Sequence, residues 1–453
     1  MVSSLKASLT SWHIWALGVG LVISGQYFGW SYGWDKAGSL GFLTVCLFVT
    51  VMYITFVYSF AELATAMPLA AGPFIYAQRA LGNDFAFFAG VATLVDFLFA
   101  PPAIAMAIGS YFNAQFAYLD PKTCALIVYL VIVIFNLIGI KIAAMLEMII
   151  AALAVIELLV FVGVVAPSFS FSTLVAHGWA GQDVLTTSAF PALVAAIPFA
   201  MWLFLGIEGS VMVVEETKAP GVMLPKGMLM AISTLIFLSF LVMIVTGGVP
   251  EWSQFATSNN PLPHAMALVV GTDSLWFHLL VMIGLAGLLA SFHGLILASS
   301  RQIYGLSRAG FLPKFFSVVN KRFATPHVAI IASSLLGVFA IMGSDLSFDG
   351  QPLTVSLISL SVLGAVIMYV TAMISLLVLR VKEPDLYRPY RVPFYPWFPI
   401  IALVLSTFCL GAVIYSNLKM TFTFFSIMAI IYFIFSILEH HSNEQDQKSL
   451  IKD

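Results

Sequence analysis

Residues 198–210 read Pro198-Phe199-Ala200-Met201-Trp202-Leu203-Phe204-Leu205-Gly206-Ile207-Glu208-Gly209-Ser210. The flanks are apolar enough for hydrocarbon, yet a Gly-x-x-Gly interruption with a carboxylate inside it falls in the middle. Glycine weakens a helix. A charge in lipid is expensive and normally faces a cavity or a partner, so the stretch predicts a broken membrane helix beside a cavity. Residues 18–29 carry a companion feature: Gly18, Gly20, then Ile23-Ser24-Gly25-Gln26-Tyr27-Phe28-Gly29. Ser and Gln can re-bond freed backbone, which predicts a break near Ser24-Gly25-Gln26. Close packing of small residues against a neighbouring helix accounts for the same glycines when they are taken alone.

Around these stretches the 453 residues are 61% hydrophobic, 14% aromatic and only 9% charged, with a mean hydropathy of +1.03. Soluble domains carry about 25% charged residues, so the solvent of this chain is a lipid bilayer. A net charge of -2 gives no basic field for nucleic acid. Cys46, Cys124 and Cys409 lie in apolar runs without metal or disulfide spacing and read as small core residues.

Apolar runs of about 20 residues, the length of a helix that crosses a bilayer, fall near 12–34, 41–66, 84–114, 123–140, 143–166, 188–214, 227–249, 274–300, 327–344, 352–380, 396–418 and 420–438. With the N terminus inside, sixteen of the nineteen Lys and Arg, among them Lys6, Arg79, Lys141, Arg301, Lys321, Arg380 and Lys452, face the cytoplasm, and only Lys36, Lys122 and Lys419 lie outside. The positive-inside rule therefore predicts twelve transmembrane helices in an integral inner (plasma) membrane protein with both termini cytoplasmic. The longer external loops near 167–187 and 250–273 carry Trp179 and Trp252, residues suited to the membrane interface. The polar tail after Leu438, with His440 and His441, reads as solvated.

The broken span 6 follows span 1 by five, and an odd offset makes the two antiparallel. Paired interruptions in corresponding helices of inverted halves point to a transporter site at the midplane. The halves are 12–166 and 188–380, with 396–438 as two extra helices and 1–11 and 439–453 as cytoplasmic ends. No HExxH, Gly-x-Ser-x-Gly or clustered His/Asp set suggests an enzyme.

Four ordered stretches resemble the amino acid-polyamine-organocation transporters. They are the small-residue motif at 23–29; Pro68-Leu69-Ala70-Ala71-Gly72-Pro73-Phe74-Ile75-Tyr76; Phe204-Leu205-Gly206-Ile207-Glu208 leading to Glu215-Glu216-Thr217-Lys218-Ala219-Pro220; and Ser300-Arg301-Gln302-Ile303-Tyr304-Gly305-Leu306-Ser307-Arg308. Within that superfamily, Ser24-Gly25-Gln26-Tyr27-Phe28-Gly29-Trp30 looks most like the ethanolamine permeases. The resemblance implies an all-α, LeuT-like 5+5 inverted repeat with helices 1 and 6 interrupted, working by alternating access with proton or sodium coupling and no cofactor.

The ionisable residues within the spans are Glu62, Asp96, Glu147, Glu157 and Glu208, with no Lys or Arg away from a cytoplasmic end. The missing partner is a cation, and an incoming amine, proton or sodium ion supplies it. Asp96, just before Pro101-Pro102, sits where those prolines should kink the helix, and it is the first choice for the ammonium. Glu208 suits substrate contact, proton sensing or a structural bond to span 1. Glu157 stands where many relatives carry a Lys, so it and Glu208 are the coupling-ion candidates. Glu62 and Glu147 read as structural partners of Arg79 or Lys141. Tyr27, Trp202 and Phe204 flank the breaks and can wall an ammonium pocket, while Ser291 and His293 add polar groups from span 8. Amino acid relatives bind the carboxylate at a span 1 Gly-Ser-Gly break, and here Gly25 is followed by the bulkier Gln26. A small cationic amine, ethanolamine first, fits this charge balance, and the alternative is a proton-coupled cationic amino acid or polyamine permease.

Overall fold

The computed structural model describes residues 8–69, 72–139, 144–249, 252–320, 322–323, 325–345, 347–348 and 350–450. Lys6, Ala70, Ala71, Lys141, Lys321 and Lys452, and the side chains of Trp252 and of the C-terminal tail, lie outside what is described. The architecture is helical throughout, with one two-stranded hairpin at Ser347–Phe348 and Gln351–Pro352.

In chain order the helices are α1 (Ser11–Val22), α2 (Ser24–Tyr27), α3 (Ser31–Ala66), α4 (Pro73–Leu81), α5 (Asn83–Gln115), α6 (Pro121–Ile138), α7 (Ala144–Val165), α8 (Phe171–Val175) and α9 (Phe190–Trp202). A 3-10 segment, Ile207–Glu216, precedes α10 (Pro220–Gly247), α11 (Pro261–Val270), α12 (Leu275–Arg308), α13 (His327–Met342), α14 (Leu353–Lys382), α15 (Trp397–Ser416) and α16 (Leu418–Leu450). Among the described residues, nine helical segments are long and apolar enough to cross a membrane, and shorter apolar helices include α1, α11 and α13.

Local chemistry sets many of the ends. Proline occupies the first turn of α4, α6, α10 and α11, where its missing N–H costs no helical bond. Asp120 caps α6 by accepting from the Thr123 amide at 2.8 Å. Some expected boundaries move. The second span begins at Ser31, with a kink at Gly38 where φ is 71°. A Cβ there would lie 2.6 Å from the Gly178 carbonyl, so the loop after α8 crosses this helix in backbone contact. Helix α5 runs unbroken through Pro101 and Pro102, and α16 remains helical beyond Leu438 to Leu450. Cys46 and Cys409 are buried as expected, whereas Cys124 is only half-buried.

Helix α5 packs along α14 and α12, α3 along α9, and α1 along α10 and α7. The α5–α14 approach is especially close: a Cβ on Gly364 would sit 2.4 Å from the Ala92 carbonyl. At the end that carries the N terminus, Glu62 on α3 is fully buried and binds Arg380 of α14 through two 2.7 Å bonds. It also meets Arg388 at 3.2 Å and accepts from the Val392 amide at 2.7 Å. Arg79 instead pairs with Glu383, which draws that exposed carboxyl below its ordinary range. Arg79 is therefore the partner of neither Glu62 nor Glu147, because Glu62 pairs with Arg380 and Arg388 and Arg79 with Glu383; the other expected partner, Lys141, lies outside the described residues.

Candidate functional site

The two interruptions face each other. In the first, Ile23 separates α1 from α2, and the ladder between Gly20 and Ser24 is opened by a side chain from α12. Ser291 Oγ donates to the Gly20 carbonyl at 2.5 Å and accepts from the Ser24 amide at 3.2 Å. A hydroxyl inserted into the i→i−4 ladder is a recognised cause of such a break. The chain then leaves the helix at Phe28–Trp30, where Gly29 has φ 91°. The expected break at Ser24-Gly25-Gln26 is thus two events flanking those residues, because Ser24–Tyr27 keeps one helical turn.

The second interruption runs from Leu203 to Gly206, with Gly206 at φ 97°, and resumes as the 3-10 segment bearing Glu208. Gln26 Nε2 donates to the freed Leu203 carbonyl at 3.1 Å and its Oε1 accepts from Ser239 at 3.0 Å. Trp202 Nε1 reciprocates by donating to the Phe28 carbonyl at 3.1 Å. A Cβ on Gly25 would come within 2.6 Å of the Trp202 carbonyl, so only glycine allows the two backbones to touch. Each helix satisfies polar groups that the other has exposed.

Beside this crossing lie Asp96 and Glu208, 1% and 2% exposed. Their carboxyls lie close enough to act on one another. Ser361 Oγ donates to Asp96 Oδ1 at 2.8 Å, and Tyr369 donates to Glu208 Oε2 at 3.0 Å. The remaining oxygens, Asp96 Oδ2 and Glu208 Oε1, are buried and have no hydrogen-bond donor among the described residues. Tyr53 extends the chain of hydroxyls, 3.2 Å from Tyr369 and from the Met201 carbonyl. Carboxylates only accept, so two in mutual contact hold a proton between them or share a cation. Among the described residues, no Lys or Arg is bonded to either.

A small cavity of ≈ 10 Å³, room for about one water, adjoins the pair and is lined by Leu21, Ser24, Asp96, Ala100, Trp202 and Gly206 among others. Of the residues singled out in the sequence, Ser24, Asp96 and Trp202 line it. Gly25, Gln26 and Ser291 instead hold the crossing together. Phe204 packs on Tyr53 with ring centres 5.2 Å apart, away from the cavity wall. Tyr27 also turns away: its hydroxyl donates to Glu157 Oε2 at 2.6 Å, and its ring packs edge-on to Tyr111. Glu157 therefore belongs to a separate buried cluster. His293 takes a bond from Asn136 at 3.0 Å and lines a different, larger cavity.

Tyr369, Tyr53 and Ser361 were not singled out in the sequence, because a hydroxyl on an apolar span is too common to stand out. The loop that carries α8 and the loop before α11 reach the chain just beyond the first break. Ser31 donates to the Ser258 carbonyl at 3.1 Å, Tyr32 to Asn259 at 2.7 Å, and Ser39 to the Leu174 carbonyl. These contacts cover the crossing on that side, and the cavity lined by His293 opens on the side of the N terminus.

A family model described as Amino acid permease matches residues 9–436. The chain is 26% identical over 412 residues to an uncharacterized transporter of Rhizobium meliloti strain 1021, covering 87% of this chain and 84% of the relative. It is 24% identical over 455 residues to the branched-chain amino acid permease BcaP of Bacillus subtilis strain 168, with 96% and 94% covered. It is likewise 24% identical over 340 residues to the low-affinity putrescine importer PlaP of Escherichia coli strain K12, with 71% and 72% covered.

Proposed function

The chain belongs to the amino acid permease family, and from that premise we propose that it is a secondary transporter importing a small cationic amine, ethanolamine first, by alternating access. On this reading it crosses the inner membrane twelve times with both termini in the cytoplasm. Residues 12–166 and 188–380 form inverted halves around the site, followed by two further helices at 396–438.

The observation that carries the reading is the Asp96–Glu208 pair, two buried carboxyls in contact beside the crossing of the interrupted helices. An ammonium replaces the shared proton and offers both carboxyls a donor, while the Tyr369 and Ser361 hydroxyls hold them in place. Trp202 lines the same cavity, and an aromatic ring there suits an ammonium. A carboxylate substrate is served less well. The Ser24 amide, the group such an anion would seek at a broken helix, is already bonded to Ser291. Gln26 is committed to Leu203 and Ser239. Glu157, tied to α2 through Tyr27, and Glu208 are the groups through which a proton or sodium ion couples to the movement of the first break.

The second reading, a proton-coupled permease for a polyamine or cationic amino acid, is favoured by the likeness to a putrescine importer, since putrescine is a diamine without a carboxylate. Uptake into proteoliposomes of ethanolamine, putrescine, arginine and alanine separates the two. Saturable ethanolamine uptake that alanine does not inhibit is expected. Transport of alanine or arginine with indifference to ethanolamine overturns the first reading.

A further inference from the structure

On the side of the N terminus a cavity of ≈ 340 Å³ opens between α1, α7, the Ile207–Glu216 segment and α12. That volume is in the range of small-molecule sites, about 300–1,000 Å³, whereas the central cavity has room for about one water. Its walls are largely aliphatic, with Leu17, Ile150 and Met212 among them. Two carboxylates and one guanidinium face it: Glu147, Glu216 and Arg301. Glu216 acts electrostatically on Arg301, and His293 is bonded to Asn136. Glu147 is the charge left over. Half-buried on α7, it directs Oε1 at α1, 3.5 Å from where a Cβ on Gly20 would stand, and no described donor bonds it.

Leu21 lines both cavities. Its side chain fills a slot made by two glycines: a Cβ on Gly209 would lie 2.8 Å from Leu21 Cδ1, and one on Gly294 would lie 2.7 Å from Cδ2. One leucine side chain thus stands between the carboxyl pair and a largely apolar vestibule in which Glu147 has no donor among the described residues.

We infer that this vestibule is a second binding site for the same primary amine, with Glu147 as its ammonium partner and Leu21 as the partition between the two sites. The inference rests on the reading of Asp96 and Glu208 as an amine site. An ammonium in the vestibule gains a carboxylate that has no donor among the described residues, in surroundings where hydrocarbon strengthens the attraction relative to water. In the conformation described here it is the vestibule that has space for a molecule of ethanolamine's size.

Equilibrium binding of radiolabelled ethanolamine to the purified full chain in detergent tests this. The wild type is expected to show two classes of site. Glu147→Gln should lose one class and keep the other, and Asp96→Asn should show the reverse. Ile150→Trp, which fills the vestibule without touching a carboxylate, should remove the same class as Glu147→Gln and guards against a folding defect in that variant. A single class that is unchanged in Glu147→Gln and Ile150→Trp but lost in Asp96→Asn overturns the vestibule site and leaves the central one standing. Absence of ethanolamine binding in the wild type overturns both.

Discussion

Asp96 Oδ1 accepts from Ser361 and its carboxyl lies beside that of Glu208, so its replacement removes both a charge and a group that acts on Glu208. Asp96→Asn is expected to weaken ethanolamine binding by about 2–5 kcal/mol, the cost of truncating one member of a buried charged pair. Ser361→Ala, which removes only a donor, should cost about 1 kcal/mol. Calorimetric titration distinguishes these, and equal small effects would place the amine elsewhere. Ser291 makes a different prediction. Its hydroxyl occupies the Ser24 amide, so Ser291→Ala frees a helix-break N–H for an anion. The variant should let alanine compete with ethanolamine where the wild type does not, and unchanged selectivity would separate Ser291 from substrate choice. Both carboxylates were legible in the sequence as buried acids on apolar spans. Their meeting was not, since both elements gather at α14: Gly364 lets α5 approach it, and Tyr369 bonds Glu208.

The crossing of the interrupted helices depends on glycines at closest approach. Gly25→Ala would press a methyl group to 2.6 Å from the Trp202 carbonyl, an overpacking that costs about 1–3 kcal/mol. Gly206→Ala meets only ordinary van der Waals neighbours, the nearest 3.7 Å away, but must hold φ at 97°, which costs about 1–2 kcal/mol for a residue with a Cβ. Gly163, on α7 with nothing within 4 Å, is the control: Gly163→Ala should leave stability unchanged or raise it by up to about 1 kcal/mol. Thermal melting in detergent ranks the three, and a Gly25→Ala variant as stable as Gly163→Ala would contradict the backbone contact. Glycine density and the Glu208 carboxylate made both interruptions legible. Their limits were harder to read, because the Ser291 hydroxyl that opens the first ladder comes from α12. Pro101 and Pro102 misled for the opposite reason: helix α5 absorbs the two missing N–H groups within a packed bundle and continues.

At the scale of the whole molecule, Glu62, Arg79, Arg380, Glu383 and Arg388 gather at one edge of the bundle. The Glu62–Arg380–Arg388 cluster fastens α3 to α14 and to the segment before α15. Glu62→Ala would leave Arg388, with its side chain 2% exposed, without its carboxylate partner, and should lower stability by about 3–5 kcal/mol. A melting temperature unchanged in that variant would show that the cluster is solvated. The hydropathy of the chain and the two glycine-rich spans made a helical membrane protein with two interrupted helices legible. The folding of the loops over one side was not legible, since those loops carry neither helical nor strand periodicity. The proposed site is nearly filled at its centre and separated by Leu21 from the vestibule. The central claim is that a small amine takes the place of the proton shared by Asp96 and Glu208. Calorimetric titration with ethanolamine in two buffers of different ionisation enthalpy counts the protons exchanged on binding. Binding that releases about one proton in the wild type, with both binding at this site and proton release lost in Asp96→Asn, is the predicted result; binding without proton release, or undiminished in Asp96→Asn, would contradict it.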